Sequence, residues 1–233
     1  METKHFIWKF VSKDKSKPAM CGFYMDPEEK AAVATDAHVM LVCHELYDQD
    51  KADMIVYKDG SALKNDTYIK APDGHHKIHV KYPNWKPAIP RAYTERESIK
   101  RQTPRYDNPY EEVVIDAWFK DRVLAATKLH NTPQFKNSEV SVRFHTGKDF
   151  WVSPMFGKMI LSWGLKGWYI SYAYRATINE RNNGDLMLVM PILNISGFRD
   201  FVSKDYGISL PWTDNEKDLV MKIVKDKFDL PII

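Results

Sequence analysis

Short apolar runs, broken at close intervals by Pro, Gly, Asn and Asp, constrain what this chain can fold into. The runs at 19–25, 31–34, 38–43, 54–58 and 77–82 have the length of strands. Asp26-Pro27-Glu28-Glu29-Lys30, Thr35-Asp36-Ala37, Asp59-Gly60 and Asp73-Gly74 separate them as turns. Residues 83–109 hold five prolines and many charges, which marks a connector. Beyond it, 113–115 predicts a strand and 117–130 a helix. Phe119, Val123 and Ala126 recur there at helical spacing, Asp116 stands at the cap, and Asn131-Thr132-Pro133 ends it. Strands are expected at 139–144, 150–154, 159–163, 168–175 and 186–191, and helices at 195–202 and 214–228. No strand–helix–strand rhythm runs through the order, so the expected class is α+β with largely antiparallel sheets and helices packed on one face.

With 233 residues the chain suffices for one large domain or two small ones. No apolar run approaches the ~18 residues of a membrane span. The opening Met1-Glu2-Thr3-Lys4-His5-Phe6-Ile7-Trp8 has no apolar stretch of a secretory signal, so a cytoplasmic location without membrane association is expected. Cys21 and Cys43 make neither a disulfide framework nor a paired-cysteine zinc site. The net charge of +3 is too small to imply nucleic acid, but its distribution is uneven. Lys9, Lys13, Lys15 and Lys17 crowd one segment, and Arg91, Arg96, Lys100, Arg101 and Arg105 another. Each crowd is either a solvated face or a phosphate-facing patch.

The signatures of common chemistries are absent from the sequence. It has no Gly-rich phosphate loop ending in Lys-Ser/Thr, no Gly-x-Gly-x-x-Gly and no Gly-x-Ser-x-Gly elbow. His44-Glu45 lacks the second histidine of a zincin helix, and Asp48, Asp50 and Asp53 lack the glycine and final Glu of a calcium loop. His75 and His79 fall at even spacing on one strand face and would ligate a metal if a carboxylate joined them. Polar residues on an exposed hairpin are the stronger reading, because no second cluster of ligands is spaced to complete a site. The expectation is therefore no catalytic residue, no metal and no cofactor, with a metal-dependent enzyme using His75 and His79 as a lesser alternative. Basic and aromatic residues interleave from Arg91 to Tyr106, a pattern suited to single-stranded nucleic acid, diluted by Glu95, Glu97 and Asp107.

Three separated pieces resemble, in order, the bacterial sliding clamp family, the beta subunit of DNA polymerase III. Lys17-Pro18-Ala19-Met20-Cys21-Gly22-Phe23-Tyr24 followed by Val33-Ala34-Thr35-Asp36-Ala37-His38-Val39-Met40-Leu41-Val42 is similar to the clamp's Val-Ala-Thr-Asp-Gly-His-Arg-Leu strand and its approach. Tyr82-Pro83-Asn84-Trp85-Lys86-Pro87-Ala88-Ile89-Pro90 is similar to its aromatic-Pro-Asp-Tyr segment. Leu186-Met187-Leu188-Val189-Met190-Pro191-Ile192 is similar to its Val-Val-Met-Pro-Met end. Ala37 and Val39 stand where the family has Gly and Arg, and Pro87 stands in place of another Arg.

The resemblance implies a DNA-clamp-like (processivity) fold at 1–193, built of two halves at about 1–90 and 110–193, with 194–233 as a C-terminal helical extension. It implies double-stranded DNA held without base reading by Lys120, Arg122 and Lys128 on the 117–130 helix, together with Lys9, Lys13 and Lys15. It also implies an apolar groove for DNA polymerase or clamp-loader peptides, formed by Thr35, Ala37, His38, Val39, Met40, Pro83, Ala88, Leu188, Met190, Pro191 and Ile192. By ordinary burial preference many of these are simply strand core. The implied protein is a non-catalytic homo-oligomer, with six one-domain or three two-domain copies closing a ring. An alternative is an interaction module of the same fold that does not encircle DNA. There the apolar stripe Leu219, Val220, Ile223 and Val224 covers an interface.

Overall fold

The computed structural model describes residues 3–71, 73–89, 110–131, 133, 140–144, 151–164, 168–171, 176–181, 183–190 and 208–209. The Arg91–Tyr106 stretch, the expected helices at 195–202 and 214–228, and Pro191 and Ile192 lie outside them. The strands are β1 (Phe23–Asp26), β2 (Ala31–Thr35), β3 (Val39–Cys43), β4 (Met54–Val56), β5 (Ala62–Lys64), β6 (Thr67–Lys70), β7 (Lys77–Val80), β8 (Tyr110–Val113), β9 (Ser141–Arg143), β10 (Trp151–Val152), β11 (Trp168–Ser171), β12 (Ala176–Glu180), β13 (Leu186–Val189) and β14 (Ile208–Ser209). The helices are α1 (Thr3–Phe6), α2 (Ala117–His130) and α3 (Pro154–Trp163). Every strand pairing whose register is defined among the described residues is antiparallel, which gives the expected α+β class.

Two compact units divide the chain discontinuously. The first comprises 1–107 and 178–189, the second 108–177 and 190–233. The expected division assigned 110–193 to one half; here the strand nearest its end groups with the beginning of the chain.

In the first unit the strand order is β5-β4-β1-β2-β3-β13, with β12 beyond β13. β2 and β3 are buried along their whole length, so both faces of the sheet are covered, and near-continuous apolar sequence is what such strands require. Phe23 and Tyr24, adjacent on β1, point to opposite faces. Phe23 meets the Trp8 ring at 4.9 Å, while Tyr24 stacks on Tyr82 at 5.3 Å. Tyr82 donates its hydroxyl to the Val33 carbonyl at 2.9 Å, and burial pushes its phenol well above the usual range. Trp85 Nε1 donates to Asp26 Oδ2 at 2.9 Å. Asp26 Oδ1 accepts the Glu28 and Glu29 amides, so a 5% exposed carboxylate both closes the β1–β2 turn and holds the covering segment. β6 and β7 form a separate two-stranded hairpin.

The second unit holds the β8–β11 pair and a three-stranded sheet ordered β10-β9-β14. α2 begins as its sequence dictates, with Asp116 accepting the Phe119 amide at 2.9 Å. Phe119 stacks on Phe144 at 4.7 Å. α3 departs from expectation, because residues 159–163 are helix rather than strand. Ser153 caps the Phe156 amide, Pro154 occupies the first turn, and Met159, Ile160 and Trp163 then fall on one buried face. A short apolar run does not itself distinguish the two structures, and here the cap decides. At the other end of the chain, residues 18–21 form a 3-10 turn and the first strand starts at Phe23.

Candidate functional site

The turn between β2 and β3 is the most completely bonded local structure among the residues expected to form a groove. Thr35 Oγ1 donates to the Val39 carbonyl at 2.8 Å and accepts the Ala37 amide at 3.1 Å. Asp36 Oδ1 accepts the amides of His38 at 2.8 Å and Val39 at 2.9 Å. Ala37 sits at the apex with φ +78°, a left-handed conformation that favours glycine. Ala37 and His38 are exposed, as are Pro83 and Ala88.

The strand members of the same set behave differently. Met40 is opposite Thr35 on one side and Leu188 on the other, so the three form a row on the face that carries Tyr24 and Val33. Val39, Met40 and Leu188 are each 3% exposed or less. They are sheet core, as burial preference suggests. Met190 is half-buried, and Pro191 and Ile192 are outside the described residues.

Helix α2 presents a mixed face. Lys120, Leu124 and Lys128 lie in line at four-residue intervals, all exposed, with Asp121 beside them. Leu124 is 46% exposed, and the opposite side is locked by Phe119, Val123, Ala126 and Leu129, each fully buried. Arg122, expected among the phosphate-facing bases, is instead 2% exposed, with its guanidinium 4.3 Å from the Trp118 ring centre. Its position, two residues from Lys120, rotates it away from the exposed ridge. Burial draws its pKa downward, opposed in part by Asp121 and Asp116. In the first unit Lys9, Lys13 and Lys15 are exposed; Lys9 Nζ lies 5.3 Å from the Phe6 ring centre.

The remaining titratable candidates have structural partners. His79 Nε2 lies 2.6 Å from Asp66 Oδ1, and His76 Nδ1 lies 2.9 Å from Asp73 Oδ2. Asp48 caps a 3-10 turn through the Asp50 amide, and Asp53 Oδ1 accepts from the Tyr24 hydroxyl at 3.0 Å. Among the described residues no group of three or more His, Cys, Asp or Glu is arranged to hold a metal ion, and no helix is long and apolar enough to cross a membrane.

One buried cluster went unseen in the sequence. Asp185, completely buried, accepts the His44 amide at 2.7 Å and Asn183 Nδ2 at 2.9 Å, and the Cys43 thiol lies 3.7 Å from Oδ2. Burial, followed by the Asp185 charge, pushes the Cys43 thiol up to about 12. The cluster ties the end of β3 to the start of β13, residues so far apart in sequence that no local pattern signals it.

No protein-family model and no curated sequence matches the chain. Solved structures of bacterial sliding clamps are similar to it in backbone arrangement. The DNA polymerase III subunit beta of Borrelia burgdorferi, in complex with a natural product, is 14% identical with a TM-score of 0.46, covering 83% of this chain and 63% of that one. The DNA polymerase III beta subunit of Thermotoga maritima is 12% identical with a TM-score of 0.46, covering 82% and 63%. The Helicobacter pylori beta clamp bound to a DNA ligase peptide is 10% identical with a TM-score of 0.42, covering 82% and 63%. The chain thus spans less than two thirds of the length of these clamps, and the likeness transfers no residue role.

Proposed function

We propose that the protein is a non-catalytic, DNA-associated docking or processivity factor of sliding-clamp type, which self-associates and receives partner peptides. The observation that carries this reading is the exposed ridge of α2, where Lys120 and Lys128 are held two turns apart on a helix anchored along its other side. Two exposed lysines so spaced would neutralise phosphates without reading bases, which is what a protein moving along duplex DNA requires. Lys9, Lys13 and Lys15 add exposed positive charge in the first unit. For peptides, the groove in the first unit reduces to what solvent reaches: Ala37 and His38 on the β2–β3 turn, and Pro83 and Ala88 on the segment that follows β7. Ala37, Pro83 and Ala88 make that surface weakly polar, suited to an aromatic or Leu anchor from a DNA polymerase or clamp-loader subunit.

The test is duplex binding across a salt series. Lys120→Glu with Lys128→Glu should weaken duplex affinity and lower the salt slope by about 2, with the melting temperature unchanged. A slope equal to that of the unaltered protein removes the helix from the reading. Light scattering tests self-association in parallel, since a monomer indifferent to circular and linear duplex contradicts a ring. Asp121 and the exposed Leu124 within the lysine ridge favour a second reading, an interaction module of this fold that does not encircle DNA. A monomer that binds polymerase-type peptides but no duplex would select it.

A further inference from the structure

The β6–β7 hairpin is built with two unlike faces. Its register pairs Thr67 with Val80 and Ile69 with Ile78 on one side, and Tyr68 with His79 and Lys70 with Lys77 on the other. The first set is half-buried or buried and the second is exposed along both strands, so strict alternation fixes which side meets solvent. The base of the hairpin is fixed. Asn65 Oδ1 accepts the Tyr82 amide at 2.8 Å, and Asp66 holds both His79 at 2.6 Å and Lys81 at 2.7 Å. At the tip, Asp73 accepts the His75 amide, and Gly74 takes φ +71°.

Two features of the outer face have no use within the fold. Tyr68 is 65% exposed although its ring is stacked on His79 at 4.7 Å and 20°, so one ring face is packed and the other is open to water. Lys70 and Lys77 stand directly opposite each other, an arrangement of like charges that disfavours the hairpin unless an anion lies between them. Neither has an ion-pair partner among the described residues. Residues 64–81 contain Lys64, Lys70, Lys77 and Lys81 against Asp66 and Asp73, a net charge of +2 before any histidine is protonated. Tyr68, its ring already stacked, stands two residues along the strand, a backbone spacing of ~6.6 Å, from the opposed Lys70–Lys77 pair.

The geometry points to the Tyr68/His79/Lys70/Lys77 face of the hairpin as a contact surface for single-stranded nucleic acid, with a base stacking on Tyr68 and the adjoining phosphates held between Lys70 and Lys77. Stacking on an aromatic face tolerates any base, and the lysines supply the phosphate neutralisation that accompanies it. His79 supports the ring from behind and is itself fixed by Asp66, which keeps the platform rigid before a ligand arrives. An acidic peptide would satisfy the lysines alone and leave the open aromatic ring without a role. This surface is separate in sequence and in compact unit from the α2 ridge, and the inference stands without the clamp-type reading.

Fluorescence anisotropy of the full chain with a labelled dT20 oligonucleotide tests it. Tyr68→Ala should weaken binding about tenfold or more, and Tyr68→Phe should restore it. Lys70→Glu with Lys77→Glu should lower the single-strand salt slope by about 1.4. All three positions are exposed, and a melting curve for each variant checks that folding is retained. Variants that melt normally and bind dT20 as tightly as the unaltered protein would overturn the proposal. So would a poly-glutamate peptide of matched charge that displaces dT20 as well as unlabelled dT20 does, because the surface would then grip polyanions without stacking.

Discussion

Ala37 holds a conformation that costs an L residue about 1 kcal/mol, since its Cβ crowds the following carbonyl at φ +78°. The turn tolerates this because Thr35 and Asp36 bond every nearby amide. Ala37→Gly is expected to raise stability by roughly 0.5–1 kcal/mol, seen as a melting temperature a few degrees higher. Asp185 is the opposite case. Replacing it by Ala removes the acceptor of the part-buried His44 amide and one partner of the Asn183 side chain, and an expected loss of about 1–2 kcal/mol should appear in urea unfolding. The neighbouring Cys43 supplies a pH test. Its thiol is raised from the ordinary 9.0 to about 12, so the folded state binds the proton more tightly than the unfolded chain. Its contribution is therefore complete below pH 9 and is lost as pH climbs from 9 towards 12. Native protein treated with iodoacetamide at pH 8 should modify the partly exposed Cys21 first and Cys43 only on unfolding, as mass spectrometry would show.

At the scale of elements, the contact between α2 and α3 depends on one missing methyl group. A Cβ on Gly157 would lie 2.6 Å from Val123 Cγ2, and Val123 is fully buried. Gly157→Ala should cost about 1–3 kcal/mol through overpacking, and adding Val123→Ala should cost less than the sum of the single changes, measurable by a double-mutant cycle. Elements also divide according to how much of them the sequence discloses. α2 is legible to its cap because Asp116 and the spacing of Phe119, Val123 and Ala126 agree, and β2 and β3 are legible because the Thr35–Val39 turn lies between two apolar runs. α3 is misread because five apolar-rich residues suit either period, and the decisive Ser153–Pro154 start lies upstream of them. β12 escapes notice because Thr177 and Asn179, both buried, interrupt its apolar pattern. The expected contact residues divide by the same logic. Burial of Arg122 follows from its angular position on the helix, whereas the Tyr68–His79 stack follows from the register of two strands, which their separate sequences do not specify.

For the whole molecule, the chain path matters more than any single contact. The first unit is assembled from 1–107 and from 178–189, so β3 finds its partner β13 only after the chain has contributed to the second unit. A fragment ending at residue 107 should expose the Val39–Val42 edge and aggregate, and a synthetic peptide covering 178–190 should improve its solubility, as light scattering would show. On a ribosome the same path becomes a matter of timing. The segment that completes the first unit emerges about 80 residues after the rest of it, a wait of roughly 4–16 s at ordinary elongation rates. During that interval an apolar strand edge waits unsealed, and the nascent chain is expected to be open to chaperone binding until its late-arriving strand is in reach.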